Sequence, residues 1–162
     1  MPKDAVYSRH FSSCLHVSGV QASWIRVNES IQHPRNGPAG PSGVFPALRD
    51  SRYPVHKVAH RLEPFLRLIV ERFHPEKIIL FGSYAYGQPT EHSDFDLLVV
   101  RKGIRSENES DLEIRQALWA VSGPRPPFTI LSKTPERIAE RLSVGSPFYQ
   151  DVMGKGLPVY AA

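Results

Sequence analysis

The sequence predicts a domain of the α/β (α+β) class preceded by a tail without regular structure. Aliphatic runs of strand length lie at 77–81, 95–100, 128–131 and 157–160, separated by stretches with helical apolar periodicity. Ahead of them, seven of the thirteen residues from Pro34 to Pro46 are Pro or Gly, a composition that cannot bury enough apolar surface to offset chain entropy.

Residues 1–53 lack sustained periodicity and are read as a disordered or weakly ordered tail and Pro/Gly linker. Trp24, Ile25 and Val27 are its one segment that could dock or form a short strand. Residues 54–162 are the domain. There Val58, Leu62, Leu66, Ile69, Val70 and Phe73 recur at helical spacing. Pro64 sits in the first turn of that helix or kinks it, and His74-Pro75 ends it. Lys77–Phe81 is the first strand, Ser83–Tyr86 a short helix after a Gly-Ser turn, and Phe95–Val100 the second strand.

Ser110-Asp111-Leu112-Glu113 has the form of a capping box. It predicts a helix from Ser110 that turns Leu112, Ile114, Leu118 and Val121 to the core and stops at Ser122-Gly123-Pro124. Phe128–Leu131 is the third strand. Thr134 caps a helix opened by Pro135, with Ile138, Ala139 and Leu142 on one face. Pro147–Met153 is a further short helix, and Leu157–Tyr160 the last strand.

The chemistry is concentrated around 82–96. Asp94 and Asp96 open the second apolar run at i and i+2, and on a strand such side chains share a face. Two acids on one face of an otherwise apolar strand are costly to hold ionised unless a cation lies between them, which points to a divalent metal. Gly82 and Ser83 offer a phosphate close backbone approach, free N–H groups and a hydroxyl. Metal and phosphate together indicate nucleotide chemistry. The phosphate loop of ATPases is excluded, because no Gly-Lys-Ser/Thr follows Gly82; the EF-hand pattern fails for want of its later ligands and glutamate. His92 reads as a solvated loop residue, and Tyr84 and Tyr86 as packing residues before a base-stacking platform.

With this set in view, the chain resembles the DNA polymerase β-like nucleotidyltransferase superfamily: Gly-Ser, a spacer of ten residues, Asp-x-Asp, then Leu-Leu-Val-Val. It is most similar to the minimal nucleotidyltransferases, small proteins often paired with a HEPN-domain partner. The likeness runs from about Arg61 to Tyr160 and takes in Pro75 to Phe81, Lys133-Thr134-Pro135-Glu136 and Gly145-Ser146-Pro147-Phe148. It implies a polymerase β-like fold with a small mixed sheet and packed helices. It further implies two Mg²⁺ ions on the catalytic pair Asp94 and Asp96, and Gly82 and Ser83 as holders of the β- and γ-phosphates of ATP or another nucleoside triphosphate. The implied reaction moves a nucleoside monophosphate, AMP from ATP, onto a protein hydroxyl. A HEPN-type toxin is the implied acceptor, with this chain as its antitoxin.

Two positions depart from the family pattern. The third strand usually carries an acid that ligands the catalytic metal and helps deprotonate the nucleophile; here Phe128-Thr129-Ile130 puts Thr129 in that slot. Loss of a positioned general base costs about 10²–10⁴ in rate, roughly 3–5.5 kcal/mol of barrier. The alternative reading is therefore a catalytically weakened binding module that neutralises a partner by contact. Tyr86 stands where many relatives have arginine.

Composition bounds the remaining classes. The net charge of +4 divides into six Lys/Arg against three Asp/Glu over residues 1–56 and fourteen against thirteen over 57–162. The domain is near neutral, without the basic stripe of a nucleic-acid reader. No apolar run approaches a membrane span, the N-terminus is a poor secretory signal, and the single cysteine, Cys14, excludes an intrachain disulfide and suits a reducing compartment. The cytoplasm is the expected location.

Overall fold

The computed structural model describes residues 45–162. The expectations for residues 1–44, including the segment around Trp24, lie outside the described residues. Strands β1 (Lys77–Phe81), β2 (Phe95–Val100), β3 (Phe128–Lys133) and β4 (Leu157–Ala161) form one sheet in the order β3-β2-β1-β4. β1 is antiparallel to both β2 and β4, whereas β2 and β3 run parallel. The sheet is thus mixed, and the fold is of the expected α/β class.

Helices cover both faces. α1 (Ala59–Phe73) and α3 (Glu107–Leu118) press Leu62, Leu66, Ile69, Ile114 and Leu118 onto Ile78, Leu80, Leu97, Val99 and Ile130. On the opposite face, α4 (Pro135–Ser143) and α5 (Pro147–Lys155) bring Ile138, Tyr149 and Val152 against Ile79, Phe81, Leu98 and Val100. The strict alternation along β1 and β2 follows from the two-residue period of a strand, and both sets are apolar because neither face meets water. The remaining helical element, α2 (Ser83–Tyr86), is a single turn.

The edge strands are protected differently. β4 carries Pro158, which cannot donate to a further ladder. β3 is covered by α3: Ser132 donates its backbone N–H to Asp111 Oδ1 at 2.5 Å, and Arg115 donates to the Ile130 carbonyl at 3.5 Å.

Two local expectations are corrected and one left open is decided. First, the domain does not begin at 54. A 3₁₀ segment, Pro46–Arg49, places Phe45 and Leu48 in the core, and the Phe45 ring meets Tyr160 at 6.5 Å between centroids. Two apolar side chains in a Pro/Gly-rich stretch make no periodic pattern, yet each buried one contributes about 1.5–3 kcal/mol.

Second, α3 is capped by Ser106, whose side chain accepts from Glu109 N–H at 3.3 Å. Ser110 is buried inside the helix and receives Arg101 at 2.6 Å. The frame of the helix shifts accordingly: Ile114 and Leu118 are buried, and Leu112 is exposed. Of the two places left open for Pro64, the structure takes the second: it lies inside α1, at the sixth residue, and the preceding residues Pro54–Val58 wind as a 3₁₀ segment. α1 ends as expected at His74, which adopts the left-handed conformation (φ 45°) and donates its N–H to the Val70 carbonyl. No helix among the described residues is long and apolar enough to cross a membrane.

Candidate active site

The site lies where β1 ends and β2 begins. The antiparallel register sets Phe81 opposite Asp96, and the parallel register sets Asp96 opposite Thr129. Phe81, Asp96 and Thr129 therefore share the face covered by α4 and α5. Immediately after Phe81 the chain turns at Gly82 with φ 68° and ψ −148°, a combination open essentially to glycine alone. That turn brings the backbone of residue 82 against the Asp96 carboxylate: a Cβ added there would lie 3.2 Å from Asp96 Cγ and overlap Oδ2. Gly82 is thus required twice, by its dihedrals and by its neighbour.

Packing fixes α2 in place. Tyr84 stacks on Phe95 with ring centroids 4.4 Å apart, and the Gly82 carbonyl accepts from Ala85 and Tyr86 N–H at 3.1 Å. The first N–H groups of such a turn have no acceptor within it, and Ser83 opens the turn directly after Gly82. The return loop is closed by Thr90 N–H donating to Ser93 Oγ at 2.8 Å, and Phe95 N–H donates to the Pro127 carbonyl at 2.9 Å. These bonds bracket Asp94 from both sides.

The two carboxylates are not equivalent. Asp94 is exposed and Asp96 half-buried. Burial pushes the Asp96 carboxyl above the usual carboxylate range; the Thr129 hydroxyl opposes the rise by favouring the charged form, and the negative charge of Asp94 adds to it. A cation beside the pair would relieve both burial and like-charge repulsion. The side chains of Asp94, Asp96 and Thr129 offer oxygens, a set suited to a hard divalent ion. No cluster of three or more His, Cys, Asp or Glu side chains occurs among the described residues.

Of the other residues marked by the sequence, Tyr84 is buried as packing and Tyr86 is 44% exposed. His92 points into solvent beside Glu91. One neighbour carried no role in the sequence reading: Phe148, 43% exposed, packs edge-on against Phe81 at 5.6 Å. Its ring borders the Asp96 end of the sheet, and its only sequence signal was its place after Ser146-Pro147.

A mixed sheet with Asp94 just before its second strand and Asp96 within it, against a glycine turn, is consistent with a nucleotidyltransferase fold. Residues 62–142, half of the chain, match the family described as nucleotidyltransferase domain. The chain belongs to that family, whose chemistry is the transfer of a nucleotidyl group. No curated protein matches it.

Proposed function

We propose that the protein transfers a nucleoside monophosphate, AMP from ATP, to a hydroxyl of a partner protein, and that the partner is of the HEPN type. What supports the reading is the meeting of Asp96 with the Gly82 turn at one end of the sheet, in a chain of the nucleotidyltransferase family. Asp94 and Asp96 would hold Mg²⁺, which is commonly bound through one or two carboxylates completed by substrate phosphates and stabilises charge on the attacking and leaving oxygens. Gly82 admits the polyphosphate close to the backbone, and Ser83 donates to it. The acceptor oxygen bonds the α-phosphorus, the bond from that phosphorus to the α–β bridging oxygen breaks, and pyrophosphate leaves. Thr129 is a poor base, so the hydroxyl proton passes to solvent water. Two acids without a third give a slow transferase.

The test uses ATP labelled at the α- or the γ-phosphate, with Mg²⁺ and the protein encoded by the neighbouring gene. The expected result is α-label on the partner, no γ-label, and no transfer by Asp94→Ala/Asp96→Ala. Equal transfer by that variant, or none by wild type, contradicts the proposal.

Thr129 favours a second reading, neutralisation of the partner by contact alone. An Asp94→Asn/Asp96→Asn variant that inhibits the partner as well as wild type would establish it. A requirement for ATP and both aspartates would exclude it.

A further inference from the structure

On the face of the sheet opposite Asp96, the end of α3, the segment leading to β3 and the middle of α1 enclose a cleft of about 330 Å³. Its walls are apolar and aromatic, formed by Phe65, Leu118, Trp119 and Phe128, and it carries the guanidinium groups of Arg115 and Arg125. That volume is at the low end of the range usual for binding pockets, about 300–1,000 Å³, and is enough for one large side chain. Trp119 is 70% exposed, and Arg125 lies over its indole at 4.5 Å from the ring centroid.

Like Arg61, Arg72, Arg105 and Arg141, the two arginines have no ion-pair partner among the described residues. Arg49, Arg52, Arg67, Arg101 and Arg137 each have a carboxylate within 4.0 Å. The hydrogen bond that holds Arg115 is a 3.5 Å contact to the Ile130 carbonyl. Exposed Trp and Arg around an apolar pocket are the residues that dominate protein interfaces.

The cleft lies behind the candidate active site, on the other face of the same strand ends. Phe128 stands opposite Phe95, the residue between Asp94 and Asp96, and neighbouring strands are about 4.8 Å apart. The cleft and Asp96 thus lie back to back across this end of the sheet.

We propose that this cleft docks the acceptor polypeptide: an acidic segment that sets an aromatic side chain against Phe65, Phe128 and Trp119 and its carboxylates on Arg115 and Arg125. Its role as the acceptor's seat rests on the nucleotidyl-transfer reading; its binding preference does not. A nucleic-acid strand fits less well. The cleft lining supplies two cations, Arg115 and Arg125, among apolar walls, rather than the positively charged groove that tracks a nucleic-acid backbone.

The experiment uses the full chain with Trp24→Phe, which leaves Trp119 as the one indole. Its fluorescence is followed without nucleotide against blocked pentapeptides Glu-Glu-Phe-Glu-Glu, Lys-Lys-Phe-Lys-Lys and Glu-Glu-Ser-Glu-Glu, and against ten-residue oligothymidylate. The expected result is a saturable change with the first peptide alone, weakened at least tenfold by Arg115→Gln/Arg125→Gln. Both arginines are exposed, so a thermal melt of that variant within a degree or two of wild type confirms intact folding. No saturable change with the acidic phenylalanine peptide overturns the proposal, as does an equal response to either control peptide or tighter binding of the oligonucleotide. Because ATP is absent, failure here is distinct from failure of nucleotidyl transfer.

Discussion

Gly82 and Asp96 touch, with no room for a side chain between them: a Cβ at position 82 would lie 3.2 Å from Asp96 Cγ and overlap its Oδ2. The Gly82 turn and the Asp96 carboxylate are therefore one packing unit. Gly82→Ala should lose about 1–3 kcal/mol to backbone strain and should also displace Asp96. Gly103 offers a control, since it too has positive φ (69°) but nothing within 4 Å of an added Cβ. Urea unfolding should show Gly82→Ala more destabilised than Gly103→Ala, and only the former should weaken nucleotide binding. Equal effects on both properties would mean that the contact is incidental.

Asp96 gives the metal-free protein a pH dependence. Burial raises its folded-state pKa, with Asp94 adding to the rise and Thr129 opposing it. Between the unfolded value and the raised folded one, the folded protein holds protons that the unfolded chain has released. The stability linked to this group is full below the unfolded value and is lost as pH rises through the folded one. Asp96→Asn should therefore be more stable than wild type at neutral pH without Mg²⁺, with the gap closing towards about pH 4, near the ordinary aspartate value. Added Mg²⁺ should stabilise wild type and leave Asp96→Asn nearly unchanged, because the ion binds only the folded site. A gap that ignores both pH and Mg²⁺ would exclude this role for Asp96.

Thr129 stands level with Asp96 in the parallel register. Thr129→Asp should add a third negative charge, lowering the melting temperature without metal through like-charge repulsion. With Mg²⁺ the loss should shrink or reverse, and nucleotidyl transfer should rise by up to about 10²–10⁴, the usual worth of a positioned general base. Melts with and without Mg²⁺ and the α-labelled ATP assay measure both effects. A variant that Mg²⁺ stabilises no more than wild type, with unchanged activity, would show that position 129 is not the vacant acid.

The start of the domain is testable by truncation. Phe45 and Leu48 are core residues, so a chain beginning at Tyr53 should melt well below one beginning at Ser42. Leu48→Ala alone should cost about 2–5 kcal/mol, the usual range for a buried leucine. Melting temperatures that agree within a degree or two would place the boundary after residue 53.

The strands were legible because their apolar runs are bounded by Gly, Pro and Ser and flanked by helical periodicity. All four start at the expected residues, although β3 continues to Lys133 and β4 to Ala161. The candidate site was legible as a spacing, Gly82-Ser83 to Asp94 and Asp96, but the contact between Gly82 and Asp96 was not, since it depends on the β1–β2 register. The start of α3 was ambiguous for a physical reason: Ser106-Glu107-Asn108-Glu109 and Ser110-Asp111-Leu112-Glu113 both have the Ser-x-x-Glu form. Arg101, from the end of β2, takes the Ser110 hydroxyl and leaves the cap to Ser106. Phe45, Leu48 and the Trp119 cleft were invisible for a related reason, because their partners lie far away in sequence.

The central claim is that Asp94, Asp96, Gly82 and Ser83 form one Mg²⁺-dependent nucleotide site. Its most direct test is titration calorimetry with an ATP analogue whose α–β bridging oxygen is replaced by methylene, so that the bond cleaved in transfer stays intact. Wild type should bind it with Mg²⁺ and at least tenfold more weakly with chelator present, and Asp94→Ala/Asp96→Ala should remove that dependence on Mg²⁺. Binding by wild type that is indifferent to Mg²⁺, or equal Mg²⁺-dependent binding by the double variant, would contradict the account.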